Sequence, residues 1–477
     1  MPAASPPADG EPSLEQAALT AAAEALYLEA LNCCLVGQEA AADARLDRLG
    51  CAWRLSAAVW AAARGDELAR DRQEAAGVLV HDAPLPPALL APLVAAFHGG
   101  STDFWAAHGY GADGTPFFSY LIDLQAAADG GPADALQAAA LLLRARLRTA
   151  ACGGGAAAAA AAAVAAAATH VECWAHTRPP WAPHQLHFDA AEGAMRRGLA
   201  AYRLAHPAAS SVLFLSASGG PTLVLEQDTA GGASPGPSPE QREPGVPPPT
   251  KRARPAQAQV EVQAQAQQEQ RPPLAVRAWL AHPAPGRMAV WPGDLLHGVL
   301  PGAPLPLDDG DEQPGAGGGD AAEQPPARTT LILAWWGCDP RSLVPPSEGG
   351  GSPGSPAGEA GCRLGPCMPM PRPASGSGSG DGPRWLVALR SLPLAELRAL
   401  AEPPPSEDDT GGGWRALPAV APAWERVRAG AAPALTSSSL PASLLSHPGL
   451  ARAELPCLRF FLRRADDVSR AYVPGHD

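Results

Sequence analysis

The stretch from residue 170 to residue 189, HVECWAHTRPPWAPHQLHFD, ends in His187-Phe188-Asp189, and the rest of the chain arranges itself around that ending. If the run is extended, successive side chains alternate faces, so His187 and Asp189 point the same way. An imidazole and a carboxylate on one face can grip one metal ion. Two ligands leave most of the coordination sphere open, and the best-placed third downstream is His297, in WPGDLLHGVLPG. A lone His-x-Asp arises often by chance, so the pair gains weight only with the third histidine and the ordered strands between them. His184 and His187 have a spacing that zinc can use on a helix, but Pro183 and the extended context argue against a helical face. No cysteine lies near enough in sequence to complete a closed zinc site. His184 is therefore expected beside the ligands, orienting one of them or lining the pocket mouth.

Two histidines and one carboxylate are the donor set of open non-haem iron sites. Further on, Arg328 opens the strand-like run RTTLILAWW. A guanidinium keeps its charge and binds a carboxylate through two parallel hydrogen bonds, which supplies a seat for an acidic co-substrate. Thr330, two residues on, shares the face of Arg328 and can share that carboxylate. Taken singly, Arg328 reads more readily as a solvated arginine at a strand start, and its case rests on Thr330. Trp174, His176 and Arg178 alternate on the strand before the His-x-Asp; they either face the pocket, or Trp174 packs in the core and Arg178 sits in a solvated turn.

Composition bounds the rest. Of 477 residues, 55 are Pro and 50 are Gly, and long Ala tracts remove more of the length from any core, so one folded domain with loose insertions is expected. The net charge of −13 speaks against nucleic-acid binding through a basic face. Nine cysteines, with no CxxC pair, fit reduced thiols rather than a disulfide framework. The first 44 residues lack Lys and Arg, which suits neither a secretory signal nor a transit peptide, so cytosol or nucleus is expected. No membrane span is expected. The Ala-rich stretch 153–168 is only weakly apolar and reads as an expanded loop.

Along the chain, Ser13 to Ala63 reads as two or three helices, and Gly77 to Val80 as a short strand followed by a helix from Pro84 to Phe97. A strand at 116–124 precedes a helix at Ala133 to Leu147, expected to brace one outer face of the core. Strands follow at 170–176, 185–188, 211–216 and 221–225, with a tight turn at Gly219-Gly220-Pro221. From Asp228 to about 272 the chain is rich in Pro, Gly, Ala and Gln and cannot bury enough apolar surface to order itself; KRAR at 251–254 lies within it as a solvated run. Strands resume at 275–281, 287–291 and 295–300. A second acidic, low-complexity insertion at 303–327 lengthens the path from His297 to Arg328, and its ends can meet at modest entropic cost. Residues 339–382 read as loop, and the tail carries helix-like pieces at 386–401 and 424–429 and a strand-like LRFFLRR. Tyr110, Phe117, Phe118 and Trp335 read as core.

The order His187, Asp189, His297, Arg328, each on or beside a short apolar strand, resembles the 2-oxoglutarate and Fe(II)-dependent dioxygenase superfamily from about Gly77 to Trp336. Within it, the chain is similar to uncharacterised plant and algal members with a prolyl-hydroxylase-like domain. The resemblance implies an α+β chain: a double-stranded β-helix, or jelly roll, over 77–338, with N-terminal helices over 1–76 packed on it and long disordered insertions. A Pro/Gly/Ser-rich linker at 339–383 and a C-terminal extension at 384–477 follow. His187, Asp189 and His297 would be the metal-binding and catalytic residues, with Arg328, Thr330 and Trp174 around the co-substrate. Fe(II), 2-oxoglutarate, dioxygen and accessory ascorbate are the implied cofactors and partners. The implied activity couples oxidative decarboxylation of 2-oxoglutarate to succinate with hydroxylation of a second substrate. On similarity alone a peptidyl side chain such as proline is favoured, and nucleic acid is not. Two other classes stay open: a β-helix protein that binds metal without turning over 2-oxoglutarate, and a scaffold whose insertions are the functional part.

Overall fold

The computed structural model describes residues 14–66, 77–98, 103–109, 118–150, 156–191, 205–228, 274–304, 326–343, 367–371, 382–403, 413–428 and 460–462. The insertion expected at 228–272 lies almost wholly outside them, as does most of that at 303–327, together with Tyr110, Phe117 and the KRAR run. Among the described residues, no helix is long and apolar enough to cross a membrane.

Two sheets, antiparallel except for one short parallel edge pairing, carry the site. The larger is built on β4 (His170–Arg178) and β11 (Arg328–Trp336), which pair along their whole length from Arg328 opposite Arg178 to Trp336 opposite His170. Around this pair lie β3 (Tyr120–Asp123), β6 (Ala209–Phe214), β9 (Met288–Pro292) and β2 (Leu79–His81). Two-residue strands, β12 (Met368–Pro369) and β13 (Arg415–Ala416), finish the edges, giving the order β12-β3-β4-β11-β6-β9-β2-β13. The smaller sheet runs β5 (His184–His187), β10 (Leu295–Val299), β7 (Thr222–Asp228), β8 (Ala278–Ala281).

Period-two alternation decides what each face meets. On β11, Leu331, Leu333 and Trp335 are buried among helices, whereas Arg328, Thr330 and Ile332 line a cavity between the sheets. Beside that cavity, Val212, Phe214 and Trp291 of the large sheet pack with Val224 and Trp279 of the small one. The two sheets thus share a core. The outer face of the large sheet is covered by α4 (Pro87–Phe97), α7 (Ala135–Thr149) and α8 (Ala156–Ala167). The outer face of the small sheet is covered by α1 (Leu14–Leu35), α2 (Glu39–Arg48) and α3 (Ala57–Ala63), whose Leu31, Leu46 and Val59 meet Leu186, Leu223 and Leu296. Two further helices, α5 (Phe104–Ala107) and α6 (Leu124–Gly130), link the elements around β3.

Three expectations are corrected. The Ala tract is a helix, α8, rather than a loop; alanine has the highest helix propensity, and its small side chain lets Ala165 and Ala168 bury against α7. Arg144 of α7 secures the contact by donating to the Ala165 carbonyl at 3.0 Å. The stretch at 424–429 contains a strand, β14 (Trp424–Arg426), because β1 (Trp53–Leu55), inside a run expected to be all helical, offers it an antiparallel edge. The single helix expected at 386–401 is two, α9 (Arg384–Leu389) and α10 (Leu394–Ala401), separated before Pro393, whose ring forbids helical continuation. Far from hanging free, the tail contributes Trp385, Leu389 and Leu397 to the helix-covered core. A last strand, β15 (Phe461–Leu462), completes a small sheet on β1.

Candidate active site

Pairing of β5 with β10 sets His187 directly opposite His297, so two imidazoles from distant segments enter the inter-sheet space side by side, with ring centroids 4.4 Å apart. Asp189 follows β5 and bridges them: its Oδ1 lies 3.7 Å from His187 Nε2 and its Oδ2 lies 3.6 Å from His297 Nε2. Two metal–ligand bonds of about 2.1 Å can span at most about 4.2 Å, so both separations are within the reach of one shared ion. These three are the group among the described residues whose ligand atoms gather within 4.8 Å of one another.

The histidines are held ready as ligands. His187 Nδ1 meets the Gln185 carbonyl and His297 Nδ1 meets the Leu295 carbonyl, each at 2.9 Å. A carbonyl only accepts, so each Nδ1 carries a proton and each Nε2 is left facing the shared space. Burial and the neighbouring His297 push His187 down to about 4, which keeps it neutral at physiological pH. For Asp189, burial acts to raise the carboxyl, but His297, His187 and the Ser210 hydroxyl outweigh it and hold the group well below the usual carboxylate range. Ser210 Oγ donates to Asp189 Oδ2 at 2.6 Å, and the His206 ring meets the Asp189 backbone carbonyl at 2.6 Å. For His297, burial acts to lower the ring, but the charge of Asp189 and its hydrogen bond outweigh burial and raise the imidazole above its ordinary value, so an ion entering between them would take the place of a proton. A neutral His187, a His297 freed of that proton and an ionised carboxylate suit a divalent ion with borderline to hard character, Fe(II) included.

Ser210→Ala removes the hydrogen bond that turns the carboxylate. A tenfold or so weakening of metal binding is expected, measured by competition with a chelator, as for other partners of metal ligands.

Arg328 and Thr330 lie on the same face of β11, in a cavity that also receives the triad. Trp174, His176 and Arg178 line it too, as does His184, whose ring centroid is 4.7 Å from that of His187. Trp174 does both things expected of it, packing with Ala191, Ala334 and Trp336 while lining the cavity, and Arg178 lines the cavity half-buried instead of lying in a solvated turn. The Arg328 guanidinium is 4% exposed, donates through Nη2 to Thr222 Oγ1 at 2.9 Å, and lies 5.3 Å from the Phe214 ring centroid. Gly219, at φ +90°, makes room for it: a Cβ there would come within 2.6 Å of Arg328 Cδ. Arg328 Nε and Thr330 Oγ1 are buried with no hydrogen-bond partner among the described residues. Burial, then the like charge of Arg178, pull the Arg328 guanidinium down to about 9. A buried donor pair without an acceptor costs about 1–3 kcal/mol per group, so an anion fits here.

The histidines also set an acid limit. Burial holds His176 at about 3 and His187 at about 4, below the unfolded value near 6.5. Between these values the unfolded chain takes up protons that the folded chain refuses. The metal-free protein should lose stability as pH falls from 6.5 toward 4, by up to roughly 1.4 kcal/mol per pH unit for each histidine. Urea melts at pH 7 and pH 5 test this.

Sequence reasoning passed over Glu172, Ser210 and Thr222. Glu172 was within reach, since it precedes Trp174, His176 and Arg178 on the same alternating face. Ser210 and Thr222 carried no local signal, because tertiary packing alone brings them to Asp189 and Arg328.

No protein-family model and no curated protein matches the chain. Among solved structures it is similar to a Pseudomonas putida prolyl-4-hydroxylase, at 16% identity over 58% of this chain and 90% of that one, with a TM-score of 0.25.

Proposed function

We propose that this protein is a 2-oxoglutarate and Fe(II)-dependent oxygenase that couples decarboxylation of 2-oxoglutarate to hydroxylation of a second substrate. The observation that carries this reading is one cavity lined by two complementary sets of polar groups. At one place the His187 and His297 Nε2 atoms and the Asp189 carboxylate converge, and at the other Arg328 Nε and Thr330 Oγ1 are buried without hydrogen-bond partners among the described residues. On this reading the large and small sheets are the two halves of a double-stranded β-helix, supported by their shared core and by the ligand-bearing strands β5 and β10 lying side by side.

The residues divide the work. His187, Asp189 and His297 would hold iron by one face, with the Gln185 and Leu295 carbonyls and Ser210 fixing how each ligand points. Iron there supplies the redox chemistry with dioxygen. Arg328 and Thr330, with Thr222 steering the guanidinium, would receive the far carboxylate of 2-oxoglutarate and fix its approach to the triad. Trp174, Val212, Trp291 and Ile332 wall the cavity with apolar surface and keep bulk water from the reacting centre.

The test is succinate release from 2-oxoglutarate by purified protein given Fe(II) and ascorbate. Release that disappears in His187→Ala supports the reading. Absence of release, with 2-oxoglutarate failing to bind the metal-loaded protein, overturns it in favour of a metal protein without oxygenase activity.

A further inference from the structure

Beyond the triad, away from Arg328, the cavity opens into a second lobe walled by Glu172, Trp174, Gln185, Phe188, Ala190 and Trp336. His187 and Asp189 line both lobes. The two lobes differ in charge. Arg178 and Arg328, opposite each other in register, face the first, while Glu172 faces the second. Glu172 lies six residues from Arg178 on β4, roughly 20 Å along the strand at about 3.3 Å per residue. The metal group sits between the two ends.

Glu172 is 4% exposed and firmly placed. One carboxylate oxygen accepts from the Ser119 hydroxyl, the other from Trp336 Nε1–H at 3.2 Å, and the Cys367 thiol hydrogen-bonds the same group. Ser119 is itself pinned, accepting from the Cys367 backbone N–H at 2.8 Å. A carboxylate offers about four acceptor sites, so three protein donors leave about one for a ligand. Burial pushes Glu172 up to about 7 against these donors, and the neighbouring Asp189 adds to the rise. Deep placement of an acid beside a hydroxylation centre is costly for the fold alone. Trp174 and Trp336, from adjacent strands, present indole rings to the same lobe, and aromatic walls around an acid favour a cation.

We propose that the second lobe seats the primary substrate through a cationic side chain, an ammonium or guanidinium, received by Glu172 between Trp174 and Trp336. This inference rests on the oxygenase reading, since it takes the triad as the reacting centre and the arginine lobe as filled by 2-oxoglutarate. It departs from proline, the side chain favoured on resemblance, because a pyrrolidine ring within a peptide brings neither charge nor an N–H to satisfy a buried acid.

The experiment is calorimetric binding of capped tripeptides with a central Lys, Arg, norleucine or Pro, without oxygen, to full-length protein loaded with Mn(II), with and without 2-oxoglutarate. Lysine and norleucine differ essentially in the charged head, so the comparison needs no variant. Binding of the Lys or Arg peptide about tenfold or more tighter than norleucine and Pro is expected. In Glu172→Gln, checked for a native melting profile, that preference should shrink to about twofold or less. Equal binding of Lys and norleucine, tighter binding of Pro, or a cation preference that survives Glu172→Gln would each overturn the proposal. Loss of 2-oxoglutarate binding with the cation preference intact would remove the oxygenase reading and leave the lobe's specificity standing.

Discussion

Arg328→Ala is expected to raise the 2-oxoglutarate concentration needed for half-maximal binding by roughly 100-fold or more, about 2.7 kcal/mol, while metal affinity changes little. The reason is the solvation history of this guanidinium. It is buried, its Nε has no hydrogen-bond partner among the described residues, and Arg178 sits directly across the strand pair with the same charge. An unpaired buried charge is costly, and a dianion entering beside it would relieve both the desolvation and the repulsion. Lysine should not rescue the loss, because an ammonium cannot reproduce the two parallel bonds of the guanidinium. The same logic predicts an inverse effect on stability. In the absence of 2-oxoglutarate, Arg328→Met, close in volume and without charge, should melt at or above the wild-type temperature. Only the wild type should then be stabilised further by added 2-oxoglutarate. A variant that binds 2-oxoglutarate normally would remove Arg328 from the site.

Asp189→Asn is expected to weaken divalent-metal binding by roughly a hundredfold or more and to abolish succinate release, without unfolding the chain. Asn keeps the shape of the side chain and its contact with Ser210 but gives up the negative charge facing His187 and His297. The effect should exceed that of Ser210→Ala by about an order of magnitude, since one change deletes a ligand charge and the other only its orientation. Calorimetry with Mn(II) measures both. Comparable losses in the two variants would indicate that Asp189 positions the histidines instead of holding the ion.

Much of this site was legible along the strands. Alternation alone puts His187 with Asp189 and Arg328 with Thr330, and the apolar runs around them were long enough to mark β4, β6, β9, β10 and β11. Where composition was used in place of propensity, the reading failed: the Ala tract was assigned to a loop because it is low in complexity, yet alanine forms helix best, and α7 gave it a surface to pack on. The strand at Trp424–Arg426 was unreadable for another reason. Three residues carry too little period to distinguish helix from strand, and only the edge offered by Trp53–Leu55 settles the matter.

By itself, then, the amino-acid sequence determined which groups share a face, because a strand repeats every two residues whatever surrounds it. It supplied the ligand types, their order along the chain and the arginine. Tertiary structure alone decided which faces meet. Cross-strand register brought His297 opposite His187, packing carried Ser210 to Asp189 and Thr222 to Arg328, and the surroundings changed what the groups are: a His187 kept neutral by burial, a His297 raised by Asp189, an arginine without enough acceptors among the described residues, and an acid at position 172 pushed up to about 7. Those properties depend on the dielectric and the neighbours that the fold assembles from distant segments, and local sequence does not encode either.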